Sequence, residues 1–409
     1  MVKSGGSVSA NSNYLVSVVI ATHNRSRYAI DCIRSILEVA SECVQVAVHD
    51  TSSDACELKS WASEVVDSRL RYAHSSERLS MTENHEKALR LAQGEYICLI
   101  GDDDTVSKRI VDVAMFAQAN NIHIMTPPVK ATYYWPDFRT KFYGDKHAGK
   151  VYLDNFSGEV TYINLSDRLE LALSQACQGT DRLPKLYHGL VHKSIIEKIR
   201  QANDGVMLYG TSPDISASVS ICLVGGKNYC EIDFPFTMPG GSAGSNSGRS
   251  ALGKHKGDLK TDPHLAPFKN LIWPDEIPKF FSVETVWAHA AWETLKHSKS
   301  QDEFNRFGLS RLYALCLFNH WDSRRYTFTA WRASRQASQS KNTMLKLSVD
   351  FATVASSHVL SRIKRLANPS PSNGREVVCV VPTVYEARKN LDENLDIKLK
   401  ALKLPYIKL

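Results

Sequence analysis

What this sequence lacks narrows it first. No window approaches the ~20 apolar residues that a membrane span requires. The nine cysteines, at 32, 43, 56, 98, 177, 222, 230, 316 and 379, are odd in number and contain no CxxC pair. That excludes a disulfide framework and implies a reducing compartment. Residues 1–13 are rich in Ser, Gly and Asn and lack the charged-then-apolar order of a signal peptide, so they read as a disordered tail. There is no internal repeat and no P-loop: Gly253-Lys254 is followed by His255, with no strand leading in. His85-Glu86 opens like a zinc-protease motif, but Leu89 occupies the second histidine's place. His188 and His192 stand four apart without a third ligand, which is the pattern of a pocket wall or core rather than a metal site. The basic excess is small, +7 with a pI near 8.8. Over 409 residues it suits a phosphate-bearing substrate or an anionic membrane surface, and it does not argue for nucleic acid.

What remains is a chain long enough for a sizeable core and two structural units. Up to about residue 125, short apolar runs alternate with helix-period segments, the pattern of an α/β domain with a parallel sheet. Val16–Ala21, Val44–Val48, Leu70–Ala73 and Tyr96–Ile100 read as strands. Ile30, Ile33, Ile36 and Leu37 mark one helix, with Asn24 or Ser26 available as its cap. Met81, His85, Ala88 and Leu89 mark another, with Gly94 as its stop. From Pro127 to about Gly158 the chain is aromatic and irregular, and its rings at 133–143 could stack a sugar or simply be buried. Residues 240–248 read as a Gly/Ser loop, followed by Arg249, Lys254, His255 and Lys256. As a lid it would exclude water and bring cations to a diphosphate; as a linker it would do neither. The expected organisation is a tail at 1–13, a nucleotide-binding and catalytic domain at 14–255, and a mainly helical region at 256–409. A linker-like break falls at 369–374.

The chemistry centres on Asp102, Asp103 and Asp104, directly after a buried strand. Ligands of open α/β sheets bind at the carboxyl ends of strands. Three adjacent carboxylates repel one another unless a cation offsets them, and a hard divalent ion with oxygen ligands, Mg²⁺ or Mn²⁺, suits them. Such an ion would act as a Lewis acid on a leaving phosphate. Alternatively, the acids form a solvated turn before a helix. Thr22, Asn24 and Arg25 follow the first strand and Asp50 ends the second, so both groups open on the same sheet edge and can hydrogen-bond a nucleotide.

Together these pieces resemble the family 2 glycosyltransferases of the GT-A fold. Val16-Ser-Val-Val-Ile-Ala-Thr-His-Asn-Arg25 is similar to the family's opening strand and loop. His49-Asp-Thr-Ser-Ser-Asp54 is similar to its second-strand motif, with His49 in place of the first acid. Asn84 through Gly94-Glu-Tyr-Ile97 is similar to the approach to the metal motif. Gly101-Asp-Asp-Asp104 stands at the DxD position, with Gly101 where many members carry Asp. The resemblance implies a Rossmann-like, mostly parallel sheet flanked by helices. It further implies a nucleoside diphosphate sugar held by Thr22, Asn24, Arg25, Asp50, Asn84, Asp102 and Asp103, and a metal on Asp104 together with either Asp102 or Asp103. It also implies an acid downstream at a helix start. Ser212-Pro-Asp214 is such a start, and Asp214 is the expected general base; Glu159 and Asp181 are substitutes. The same triplet is also an ordinary helix N-terminus.

The expected activity is inverting transfer of a sugar to a hydroxyl acceptor, a glycan or lipid-linked glycan, in surface polysaccharide assembly. The expected place is the cytoplasm, with room for peripheral attachment at the membrane's inner face. A nucleotidyltransferase is the rival enzyme class, but it wants a Gly-rich phosphate loop after the first strand. A non-catalytic nucleotide-sugar-binding protein is the other alternative.

Overall fold

A computed structural model of the chain describes residues 14–402 apart from 40, 54–55, 226–227, 254, 338–342 and 368–374. The expected tail at 1–13, Lys254 and the 369–374 break lie outside the described residues.

An eight-stranded sheet forms the centre. Its order is Leu70–His74, Val44–Asp50, Val16–Thr22, Tyr96–Ile100, Leu190–His192, Ile124–Thr126, Tyr229–Ile232, Val160–Tyr162. The first four strands are mutually parallel. Leu190–His192 runs antiparallel to both of its neighbours. The parallel half places the ends of three strands, at Thr22, Asp50 and Ile100, along one edge.

Side chains alternate across this sheet with a period of two. Val16, Val18, Ile20, Cys98 and Ile100 face one core. Val19, Ala47, Ile97 and Leu99 face the other. Burial on both faces explains why these strands are continuous apolar runs. Each fully buried Val or Ile contributes roughly 1.5–3 kcal/mol.

Helix Ser26–Leu37 covers the first face, and Met81–Leu89 covers the second. The latter starts with a capping box between Ser80 and Glu83. The expected cap of the former does not form: Arg25 occupies the N-cap position without a side-chain cap bond. Asn24 is diverted into a left-handed turn (φ 54°) that ties two loops together. Gly94 does not stop the 81–89 helix, which ends at Leu89. It is instead a close-approach site, where a Cβ would come within 2.5 Å of the Ser17 amide nitrogen.

The aromatic stretch is more ordered than expected. Ala131–Tyr134 and Lys150–Leu153 are paired strands, and Tyr133, Trp135 and Phe138 are core residues. Beyond 256 the helices Val283–His297, Leu309–Asn319, Arg324–Gln336 and Met344–Ala367 pack over the second face. The C-terminal segment departs from that helical unit. Glu376–Val380 adds a strand to Lys150–Leu153. Helix Val384–Leu402 lies on Ser26–Leu37 through Val384, Ala387, Leu391 and Leu395. Among the described residues, 376–402 thus pack on the N-terminal half of the chain.

Candidate active site

The strand Tyr96–Ile100 ends in a turn that aims three carboxylates back at the 22–25 loop. Thr22 Oγ1 donates to Asp102 at 2.7 Å. Arg25 Nε donates to the other Asp102 oxygen at 2.7 Å, and its Nη2 lies 3.0 Å from Asp103. Ser242 Oγ donates to Asp103 at 2.5 Å and accepts from Arg25 at 2.8 Å. Asp103 Oδ1 has no hydrogen-bond partner among the described residues. Asp104 is spent internally. It accepts from the Gly101 and Gly240 amides at 2.6 Å each, and from Tyr187 at 3.3 Å. His188 Nε2 lies 3.1 Å from it.

The cation that offsets these acids within the chain is Arg25. Burial opposes its charge, yet Asp102 and Asp103 more than compensate and hold the guanidinium above its ordinary value. Burial, then Asp104, pushes the Asp103 carboxyl up to about 7 against the pull of Arg25. For Asp104, burial is outweighed by His188 and by the Gly240 and Gly101 amides, and its carboxyl lies below the usual range. Among the described residues, Arg25 Nη1 and His188 Nδ1 are buried here without hydrogen-bond partners.

The Gly/Ser segment supplies the opposite wall, and it is structured. A short ribbon between Thr105–Val106 and Thr237–Met238 delivers Gly240 beside the acids. A Cβ at 240 would lie 1.9 Å from the Asp103 carbonyl oxygen, so only glycine allows the approach. Ser245 then caps a helix at Asn246–Ala251. The cations behind it face elsewhere. Arg249 pairs with Asp262 at 2.9 Å, and Lys256 pairs with Asp322 at 3.3 Å. His255 stacks on Phe281. Burial takes its pKa down to about 4.

The result is a cleft of about 350 Å³ lined by Thr22, Arg25, Asn84 and Asp102–Asp104, and also by Arg78 and His264. Asn84 is buried and bridges strand ends, donating to the Thr22 carbonyl at 3.0 Å and facing His49 Nδ1 at 2.6 Å. Asn24 and Asp50 do not line the cleft. The Asn24 side-chain oxygen accepts from the Ser53 amide at 3.0 Å. Asp50 is fully buried and accepts from Ser52 N at 2.8 Å, Ser52 Oγ at 2.6 Å and Tyr72 OH at 2.9 Å. Both hold the two loops in register.

Asp214 stands across a wall made by Tyr187, His188 and Pro239, in an adjoining cavity of about 120 Å³ with Asp181 and Lys185. Its Oδ1 accepts from the Ser212 hydroxyl and from Ile215 N. Its Oδ2 accepts no hydrogen bond among the described residues. Glu159 is exposed beside the sheet's far edge and lines neither cavity. His188 and His192 do not act as a pair: His192 stacks on His123. Sequence reasoning missed Tyr187, considered Gly240 and Ser242 only as part of a lid or linker, and considered His188 only as half of that pair. Nothing local distinguishes these residues, since their roles come from a strand order that sets 187–188 and 240–242 beside 102–104. Among the described residues, no group of three or more His, Cys, Asp or Glu side chains is arranged to hold a metal ion.

Residues 17–155 match the family model "Glycosyl transferase family 2". The colanic acid biosynthesis glycosyl transferase WcaA of Escherichia coli (strain K12), so described, is 34% identical over 93 residues, 22% of this chain and 33% of that protein. The glycosyltransferase GlyG of Streptococcus pneumoniae is 24% identical over 103 residues, 24% of this chain and 33% of that one. The alignments thus span about a third of the length of these curated relatives. Among solved structures, S. aureus TarS 1–349 with UDP-GlcNAc aligns with a TM-score of 0.48 at 14% identity, covering 85% of this chain and 92% of that one. The mannosyltransferase PcManGT of Pyrobaculum calidifontis with GDP-Man and Mn²⁺ aligns at 0.36 and 16%, covering 96% and 91%. Both scores are below one half. The family match spans about a third of the chain and includes the strand-end residues 22–25, 50 and 102–104.

Proposed function

We propose that the protein moves a sugar from a nucleoside diphosphate sugar to a hydroxyl acceptor with inversion at the anomeric carbon. The observation that carries this is the convergence of Asp102, Asp103, Arg25 and Thr22 on the floor of one cleft, with the half-free carboxylate of Asp214 beyond the Tyr187–His188 wall. Asp102 and Asp103 would hold Mg²⁺ or Mn²⁺, in place of the expected pairs with Asp104, whose two oxygens accept from the Gly101 and Gly240 amides. The fit is chemical: Asp103 has an unengaged oxygen and a carboxyl that burial disfavours as an anion, and a cation relieves that cost. Such ions commonly take only one or two protein carboxylates, the rest of the shell being phosphate and water. When bound, the ion supplies charge neutralisation for a leaving diphosphate.

The remaining steps belong to this chain. Arg25, with Nη1 unpaired, is placed to donate to a phosphate oxygen. Asn84 and Thr22 line the nucleotide end, while Asn24 and Asp50 brace it. Asp214 Oδ2 takes the acceptor proton as the acceptor oxygen forms its bond to the anomeric carbon. The bond to the diphosphate breaks on the other side, and its electron pair leaves with the phosphate. The acceptor enters through the smaller cavity, where a glycan or lipid-linked glycan fits a role in polysaccharide assembly. Nothing in the first-strand loop is the Gly-rich phosphate loop of a nucleotidyltransferase. Among the described residues no helix is long and apolar enough to cross a membrane.

The test is Asp214→Asn. Turnover should fall by at least about a hundredfold. The Mn²⁺-dependent thermal shift with the best of UDP, GDP, dTDP and CMP should persist. Unchanged transfer would remove Asp214 from the mechanism. No shift with any nucleotide would remove the donor cleft.

A further inference from the structure

A segment outside the cleft carries a second, unexplained pattern. Residues 320–367 contain nine Lys or Arg and two Asp, an excess equal to the net charge of the whole chain, +7. The rest of the protein is electrically balanced. Of the basic side chains described here, Arg325, Arg332, Arg335, Lys346 and Arg362 are exposed and pair with no carboxylate among the described residues.

The same segment carries a cluster of exposed apolar side chains. Helix Met344–Ala367, about 36 Å long at ~1.5 Å per residue, buries Leu347 and Val354. On the same side, Phe351 and His358 pack on Phe318 of the 309–319 helix. At about 100° per residue Leu345, Val349, Val359, Leu360 and Ile363 fall on the opposite side. They are 76%, 57%, 56%, 60% and 56% exposed. The helix is thus apolar on two faces and packed on one. Trp321 and Tyr326 also stand exposed, on the turn and helix that pack on the same 309–319 helix.

We infer that this face docks the protein on a bilayer surface rich in anionic lipid. A helix with an apolar stripe and flanking cations lies in the plane of such an interface, and aromatic rings favour the headgroup level. A second copy of the chain would meet the face with like charge. A nucleic acid would satisfy the arginines and stack on Trp321 and Tyr326, but it would leave the five-residue aliphatic stripe facing water. The inference goes beyond the proposed transfer reaction and does not depend on it.

The test is flotation of the full chain with phosphatidylcholine vesicles, with and without about one-third phosphatidylglycerol, at ~0.1 M salt. The protein should partition at least about tenfold better onto the anionic vesicles. Val349→Glu with Leu360→Glu, and separately Arg325→Glu with Arg332→Glu, should each lower that partition about tenfold. The nucleotide-dependent thermal shift reads fold and donor site apart from lipid binding and should not move. Equal partition onto both vesicles overturns the inference, as does variant behaviour matching the parent. So does a dimer in light scattering that V349E/L360E dissolves, which would assign the face to a second copy.

Discussion

Replacing Asp103 by Asn removes a charge that the apo protein holds at a cost. The carboxyl rises from 3.8 to about 7 in the fold. At about 1.4 kcal/mol per pH unit, ionising it in the folded state costs about 4 kcal/mol more than in the unfolded chain. A raised acid is neutral in the fold at low pH, so the parent carries no penalty near pH 4. The penalty grows as pH rises towards 7 and is constant above it. Asp103→Asn should therefore match the parent near pH 4 and exceed it at pH 8. Unfolding entropy of roughly 2 cal/mol/K per residue converts the ~4 kcal/mol into a Tm gain of about 5 °C. The assay is thermal unfolding of both proteins from pH 4.5 to 8.5, without metal. A second arm adds Mn²⁺ and the best nucleotide: the parent should recover stability, and D103N should not. A gap that does not vary with pH, or a less stable D103N at pH 8, would refute the assignment of Asp103 as a buried anion awaiting a cation.

Two further substitutions test the supports of this cluster. Arg25→Met leaves Asp102 and Asp103 buried without their guanidinium, and urea unfolding should show a loss of about 3–5 kcal/mol; a loss under 1 kcal/mol would mean the ion pairs contribute little. Asp392→Ala removes the carboxylate that accepts from Ser107 at 2.5 Å and from Lys108 N at 3.1 Å and pairs with Arg388 at 2.8 Å. Because Arg388 and Asp392 are both buried, unfolding should lose about 3 kcal/mol, with truncation at 375 at least as damaging.

Asp392 also marks where sequence reasoning stopped. Its strand and helix, at 376–402, carry no motif, and alternating apolar and charged residues suggest no partner. The partner is the N-terminal domain: the helix clamps the turn that follows the three acids. Such a contact spans 285 residues of chain and leaves no local mark. The same holds for Gly240 and Ser242, whose places beside Asp103 and Asp104 depend on a ribbon formed with residues 105–106. The Asp50 carboxylate shows the converse. Its position at a strand end was readable, but the Tyr72 and Ser52 donors that occupy it were not.

By itself the amino-acid order determined what local physics can determine. Runs of β-branched residues must be buried strands, helical spacing must give the helices on either side, and a carboxylate triplet after a buried strand must lie at the sheet's ligand edge. Strand order, and with it the cavity walls, came only from tertiary packing. Which acid faces a cation, which is spent on backbone amides and which helix face stays uncovered depend on neighbours far along the chain. Burial and charge act through space, and a linear pattern records only the residues that are near in sequence.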